Sequence, residues 1–279
     1  MALSNQHLFD KTYENNSSQL QQFIELAKGS IAAAQFDSYK NQYVGFDSHD
    51  LGSPENWFSC LNKIKELLLN LKQKTIQINF VDPLYTLVPK ALFEEERLET
   101  YLKFNHAIDR PKDYDLLFDK VENLQLVIVY AVPKEIKNFF DQESILAKWH
   151  HFSKPLLEAA SLRNTKEQLF QVHIQKNRFD ALLVKGGKLQ FFNSFNYETV
   201  DDFVYYLLYV MEQLKLDRES DSIELVGEFE EQSALYELLF KYIRHLKIGV
   251  RPKAVNFSTI FSKIPSHYYF NLFNQHLCE

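Results

Sequence analysis

The sequence predicts an α/β fold made of a duplicated βββαβαβ unit, two halves around a cleft. Three observations carry that prediction. Strand-type and helical apolar patterns succeed one another in the same order twice along the chain. The hairpin IELAKGSIAAAQF, Ile24 to Phe36, lies over Val172 to Val184 with apolar residue on apolar residue at most strand positions and turn on turn. Each hairpin is followed by a third strand and a helix with a capping signal.

Residues 1–17 are polar and read as a disordered or loosely held N-terminus; 18–163 form the first half and 164–279 the second. In the first half, strands are expected at about 21–28, 30–38 and 42–50, with turns at Lys28-Gly29-Ser30 and Lys40-Asn41. Ser53-Pro54-Glu55 then supplies an N-cap, a proline at the first helical position and an acidic first turn. Trp57, Leu61, Ile64, Leu68 and Leu71 follow at helical spacing. TIQINFV, Thr75 to Val81, alternates as a half-buried strand. A proline-bounded loop leads to the charged helix FEEERLETYLKF, then to the buried strand LQLVIVYAV, a helix begun by Pro133-Lys134-Glu135 and a strand near His151 to Pro155.

The second half starts with strands Gln168 to Gln175, Phe179 to Val184 and Lys188 to Phe195. Lys176-Asn177-Arg178 forms the first turn and Gly186-Gly187 the second, where a type I′ geometry calls for glycine. Thr199, with Asp201 and Asp202 behind it, caps the helix DFVYYLLYVMEQL. SIELVG, the helix EEQSALYELLFKYIRH and LKIGVRP complete the unit, and the aromatic segment SHYYFNLFNQHLCE ends the chain by docking onto the body.

Composition bounds the function. A hydrophobic content of 46% in 279 residues supports a large core, and a net charge of -6 from 31 basic and 37 acidic residues supplies no positive field for nucleic acid. Cys60 and Cys278 stand far apart without CxxC spacing, which argues against a disulfide framework or zinc site. The longest apolar run, Leu126 to Val132, is too short to span a bilayer, and the N-terminus lacks an apolar signal region; the expectation is a cytoplasmic protein. Aromatic residues are 15% of the chain, whereas glycine occurs only 7 times, so few backbone sites can approach a phosphate closely.

A tandem βββαβαβ pair resembles the actin-like ATPase superfamily, a ribonuclease H-like group that includes hexokinase and the pilus-assembly M proteins. The phrases VIVYAVPKEI, FNSFNYETVDDFVYYLL, IELVGE and HYYFNLFNQHLCE are similar to those of an uncharacterised bacterial family, a domain of unknown function with that fold. The resemblance implies three nucleotide motifs: an Asp-x-Gly hairpin in each half, facing magnesium and phosphates, and a Gly-Gly pair that accepts adenosine. Carried over residue by residue, the first hairpin has Glu25 for the aspartate and Ala27 for the glycine, with Lys28, Gly29 and Ser30 in its turn. The second has His173 and Gln175 at the matching positions. The third motif reads Gly227-Glu228, with Glu230 and Glu231 adding negative charge toward an anionic nucleotide.

All three motifs depart from the pattern. The expectation is therefore a pseudoenzyme without catalytic residues, metal or cofactor: a non-catalytic actin-like scaffold or adaptor for a protein partner. The alternative is a nucleotide-binding switch or ATPase/kinase-like phosphotransferase holding Mg-ATP in the inter-domain cleft through Glu25 and Ser30; a third reading is a small-molecule sensor. Elsewhere, His150-His151 reads as surface or hydrogen-bonded core histidines on opposite strand faces. Glu94-Glu95-Glu96 reads as a solvated helix face. The helix Phe203 to Leu214, with Tyr205, Tyr206 and Tyr209, reads as core, with a tyrosine-rich binding surface as the other possibility.

Overall fold

Every strand of the two hairpins lies within about a residue of where the sequence pattern expects it. The computed structural model describes residues 5–13, 20–52, 57, 61, 64–65, 75–108, 110–143, 145–163 and 168–278. The chain divides into two compact units: Leu3–Glu158 with Lys253–Lys263 and Asn271–Glu279, and Ala159–Pro252 with Ile264–Phe270.

In the first unit β1 (Gln6–Phe9), β2 (Gln21–Ala27), β3 (Ser30–Asp37), β4 (Gln42–Asp50), β5 (Thr75–Val81) and β9 (Leu146–His151) form one sheet in the order β1-β4-β3-β2-β5-β9. β2, β3 and β4 are an antiparallel meander, and β5 and β9 run parallel to β2. β15 (Asn256–Phe257) adds to β4. In the second unit β10 (Leu169–Ile174), β11 (Arg178–Lys185), β12 (Lys188–Asn196), β13 (Ser222–Gly227) and β14 (His245–Ile248) take the order β12-β11-β10-β13-β14. That is the order and strand sense of β4-β3-β2-β5-β9. The registers agree as well: Leu26 faces Ile31 and Ile24 faces Ala33, while Ile174 faces Phe179 and Val172 faces Ala181.

Four expectations are corrected. The N-terminal stretch is not loosely held throughout: β1 pairs with β4, and Phe9, Tyr13 and Leu20 pack against Val44. The proline-bounded loop contains a strand, β6 (Tyr85–Pro89), and a further strand, β7 (Tyr114–Val121), went unread. Both flank β8 (Leu126–Pro133), so LVIVYAVP belongs to a separate antiparallel sheet β6-β8-β7 rather than to the repeat. α1 (Leu98–Asn105) covers that sheet with Leu102. Finally, the strand placed near His151 to Pro155 lies earlier as β9, because Ser153–Ser161 is a helix, α3. The expected helix after Ser53 falls largely outside the described residues; within it Trp57, Leu61 and Ile64 are helical and buried.

Helices match their signals. α2 (Lys134–Gln142) begins after Pro133. α4 (Val200–Gln213) has Thr199 and Asp202 in a reciprocal capping box, and α5 (Ala234–Tyr242) is capped by Ser233, shorter than the pattern suggests. Phe203, Leu207 and Met211 of α4 and Leu239 of α5 bury against Phe170, Val172, Phe179, Ile223 and Leu225. Tyr205, Tyr206 and Tyr209 remain exposed, so α4 is core on one face only. Gly186 and Gly187 have φ of 60° and 70°, the paired positive values of a type I′ turn. The C-terminal segment docks as expected: Phe273 packs among Tyr43, Phe46, Phe257 and Phe261, and α6 (Phe270–Phe273) is buried.

Candidate functional site

The first hairpin closes in two residues, Ala27 pairing with Ser30 across Lys28-Gly29. Lys28 and Ser30 are exposed, Glu25 and Ala27 half-buried. Gly29 has ordinary negative φ. A Cβ there would stand 2.9 Å from the Gly52 carbonyl, and the Gly29 carbonyl accepts from Leu51 N–H at 2.9 Å. The glycine is thus required by a neighbouring strand end. Lys28 also borders a cavity of about 620 Å³, with Trp57, Asp82, Lys112, Tyr114 and Lys134 on its walls.

Glu25 belongs to a line of residues running across the sheet. Register places Ser48, Ala32, Glu25, Asn79 and His150 side by side on consecutive strands. Asn79 is fully buried and neither of its side-chain polar atoms has a partner; His150 Nε2 has none either. His150 Nδ1 donates to Asp119 at 2.6 Å, and Asp119 also accepts from the His151 backbone N–H at 2.7 Å, with Lys154 Nζ at 3.7 Å. His151 points the other way, to Ser153 Oγ at 2.7 Å and the Asp82 carbonyl at 3.1 Å. Both histidines are therefore hydrogen-bonded core residues on opposite faces, as read. Burial pushes the carboxyl of nearby Glu158 up, and burial likewise pushes the Cys278 thiol well above its usual range.

The second hairpin repeats the line with other chemistry. His173, at the position matching Glu25, is buried and donates from Nδ1 to Asp180 at 3.1 Å. Asp180 is wholly buried and also accepts from Ser194 Oγ at 2.6 Å, with Arg178 Nε at 3.5 Å. Burial drives this carboxyl upward, but the Arg178 guanidinium and the bonds from His173 and Ser194 outweigh it and hold it below the ordinary range. The Gln175 backbone closes the turn, its N–H donating to Arg178 and its carbonyl accepting from Tyr197 Oη at 2.6 Å.

Gly227 sits at φ +101°, where a Cβ would come within 2.2 Å of the Ile174 carbonyl. Its N–H donates to the His267 carbonyl at 2.8 Å, and the Glu228 N–H donates to Ile174 at 2.7 Å. His267 in turn packs at a tilt against the Phe229 ring, centroids 4.3 Å apart, and donates from Nε2 to its carbonyl. Burial raises the hydroxyls of Tyr197, to about 12, and Tyr268, and the Glu228 charge adds to both. Asn79, Asp119, Asp180, Arg178 and Ser194 were missed in the sequence. Asp180 had a visible signal, since it interrupts the apolar strand RFDALLV opposite His173.

Among the described residues no group of three or more His, Cys, Asp or Glu is arranged to hold a metal ion, and no helix is long and apolar enough to cross a membrane. A family model described as "Protein of unknown function (DUF3822)" matches residues 10–246. No curated protein matches. Among solved structures, a Bacteroides thetaiotaomicron protein with actin-like ATPase fold and unknown function is similar at 22% identity and TM-score 0.70, covering 89% of this chain and 96% of its own. A chain of the PilM-PilN type IV pilus biogenesis complex follows at 14% identity, TM-score 0.66, with 93% and 98% covered. The ethanolamine utilization protein EutJ from Carboxydothermus hydrogenoformans gives 9% identity, TM-score 0.51, with 93% and 90% covered. The fold is that of the actin-like ATPases, an α/β architecture built on two βββαβαβ units.

Proposed function

This chain belongs to the DUF3822 family, and from that premise we propose that it is a non-catalytic scaffold or adaptor, an actin-like pseudoenzyme that works by binding a protein partner in the cytoplasm. The observation that carries the reading is the occupancy of the motif backbone. Amides at the third motif are bonded within the protein, Gly227 N–H to the His267 carbonyl and Glu228 N–H to the Ile174 carbonyl. An oxyanion binds where such groups point outward. His173, where the resemblance wants a magnesium-facing carboxylate, is tied to Asp180. These residues do not fit a magnesium nucleotide.

The matching register of the two hairpins supports an internal duplication whose second copy kept its fold and changed its chemistry. A neighbour of the same fold stands in a pilus biogenesis complex with a partner, which makes protein binding a use of the fold to test in this chain. Calorimetric titration with Mg-ATP tests the reading. The expected Kd is weaker than about 1 mM, roughly 4 kcal/mol of binding free energy, with no hydrolysis. Micromolar binding would establish the alternative, a nucleotide switch.

A further inference from the structure

We infer that the open edge of the second unit's sheet, together with the tyrosine face of α4, is a docking surface for an extended, arginine- or lysine-bearing segment of a partner protein. The inference rests on the scaffold reading and adds to it a surface and a chemistry.

β12 ends its sheet and, among the described residues, pairs only with β11. None of its residues is buried, and among the described residues no strand lies along its outer edge. Sheet edges are ordinarily guarded by proline, by charge or by a bulge, because unpaired N–H and C=O groups accept another strand. Here the one bulge on β12 is confined to its start, where Gln190 stands without a partner between Leu189 and Phe191, and the one charge is Lys188 at the strand's first position. From Phe191 to Asn196 the edge is regular, uncharged and proline-free.

The adjoining helix face extends that edge. Tyr206 stacks on Phe195 of β12 with centroids 6.1 Å apart, and Tyr205 lies edge-on to Tyr206 at 5.5 Å. Tyr205 and Tyr209, one turn apart, are 65% and 51% exposed, and Asp201 and Glu212 continue the same stripe. Charge decides the occupant. Between Leu189 and Leu214 there is no lysine or arginine, while Glu198, Asp201 and Glu212 are exposed and without an ion pair among the described residues. Tyrosine faces attract guanidinium and ammonium groups, and an open edge supplies main-chain bonds to an extended chain. A second copy of this chain would bring the same acidic stripe against itself, so a basic segment of another protein fits better.

The test uses the full chain and a fluorescent synthetic peptide alternating arginine with valine. Its controls are the glutamate-valine analogue and the same arginine peptide N-methylated along one edge. We expect the arginine peptide to bind at least about tenfold tighter than the glutamate peptide. N-methylation should remove about as much, and so should the double change Tyr205→Ala, Tyr209→Ala in a protein with unchanged melting, since this variant keeps every charge. Amide shifts in NMR should concentrate on residues 188–196 and α4. Equal binding by the N-methylated peptide or by the double variant, shifts elsewhere, or self-association through β12 would overturn the inference. Tight Mg-ATP binding with the peptide results intact would remove the scaffold reading and leave the surface; lost peptide discrimination without nucleotide binding would do the reverse.

Discussion

Asp180 is fully excluded from solvent yet bonded to His173 and Ser194 and faced by Arg178, and that set of neighbours determines how it responds to acid. Its carboxyl is held below the ordinary range of about 3.9. A carboxyl depressed in the folded state stabilises the protein at any pH above the unfolded value, and that stabilisation is lost as pH falls through the folded value. Urea melts should therefore show stability falling as pH drops below about 4, and Asp180→Asn should blunt that fall. At neutral pH the same change removes the partner of a buried guanidinium and should cost about 3 kcal/mol. An acid limb unchanged in the variant would mean that other carboxylates carry it. Gly227→Ala is a second residue-scale prediction. Positive φ and a Cβ 2.2 Å from the Ile174 carbonyl both oppose it, and the loss should exceed about 2 kcal/mol in the same melts.

At the scale of the element, the first hairpin separates packing from lost chemistry. Ile31 is 3% exposed on the second arm, and Ile31→Ala should cost roughly 2 to 5 kcal/mol. Glu25→Gln on the first arm keeps the shape of the side chain, so it should change stability by less than about 0.5 kcal/mol and abolish no magnesium-dependent activity. Loss of such an activity with unaffected melting would show that the turn does hold phosphate. This hairpin and its counterpart were legible because period-two alternation and a short polar turn are local signals. β6 and β7 were not, since proline and charge at their ends mimic loop chemistry and their pairing with β8 is a tertiary fact. The same limit hid the lines of polar residues. Glu25, Asn79 and His150 are neighbours only through strand register, and nothing in their sequence spacing announces it.

At the scale of the whole molecule, a match at 22% identity carries the fold and leaves the role to the residues. One property of the whole chain is the route of its last residues, which return to complete the unit that begins near the N-terminus. Tyr43, fully buried and with its hydroxyl pushed well up by burial, donates to the Phe273 carbonyl at 3.0 Å. Gln275 Nε2 donates to the backbone carbonyls of Ile24 and Gln77 at 3.4 and 3.2 Å, joining the tail to β2 and β5. Phe273 packs against Tyr43, Phe46, Phe257 and Phe261. Losing that ring alone would cost about 3 to 5 kcal/mol, a large share of the roughly 5 to 15 kcal/mol that holds a typical domain together. A chain stopped after Phe270 should therefore lose the near-ultraviolet signal of the aromatic cluster, bind a hydrophobic dye and melt without a sharp transition in its first unit. Amide exchange in β10 to β14 should stay slow, because their core is made with α4 and α5. A truncated protein with the full-length midpoint and slope would show that the tail is an appendage and not the closing layer of the first sheet.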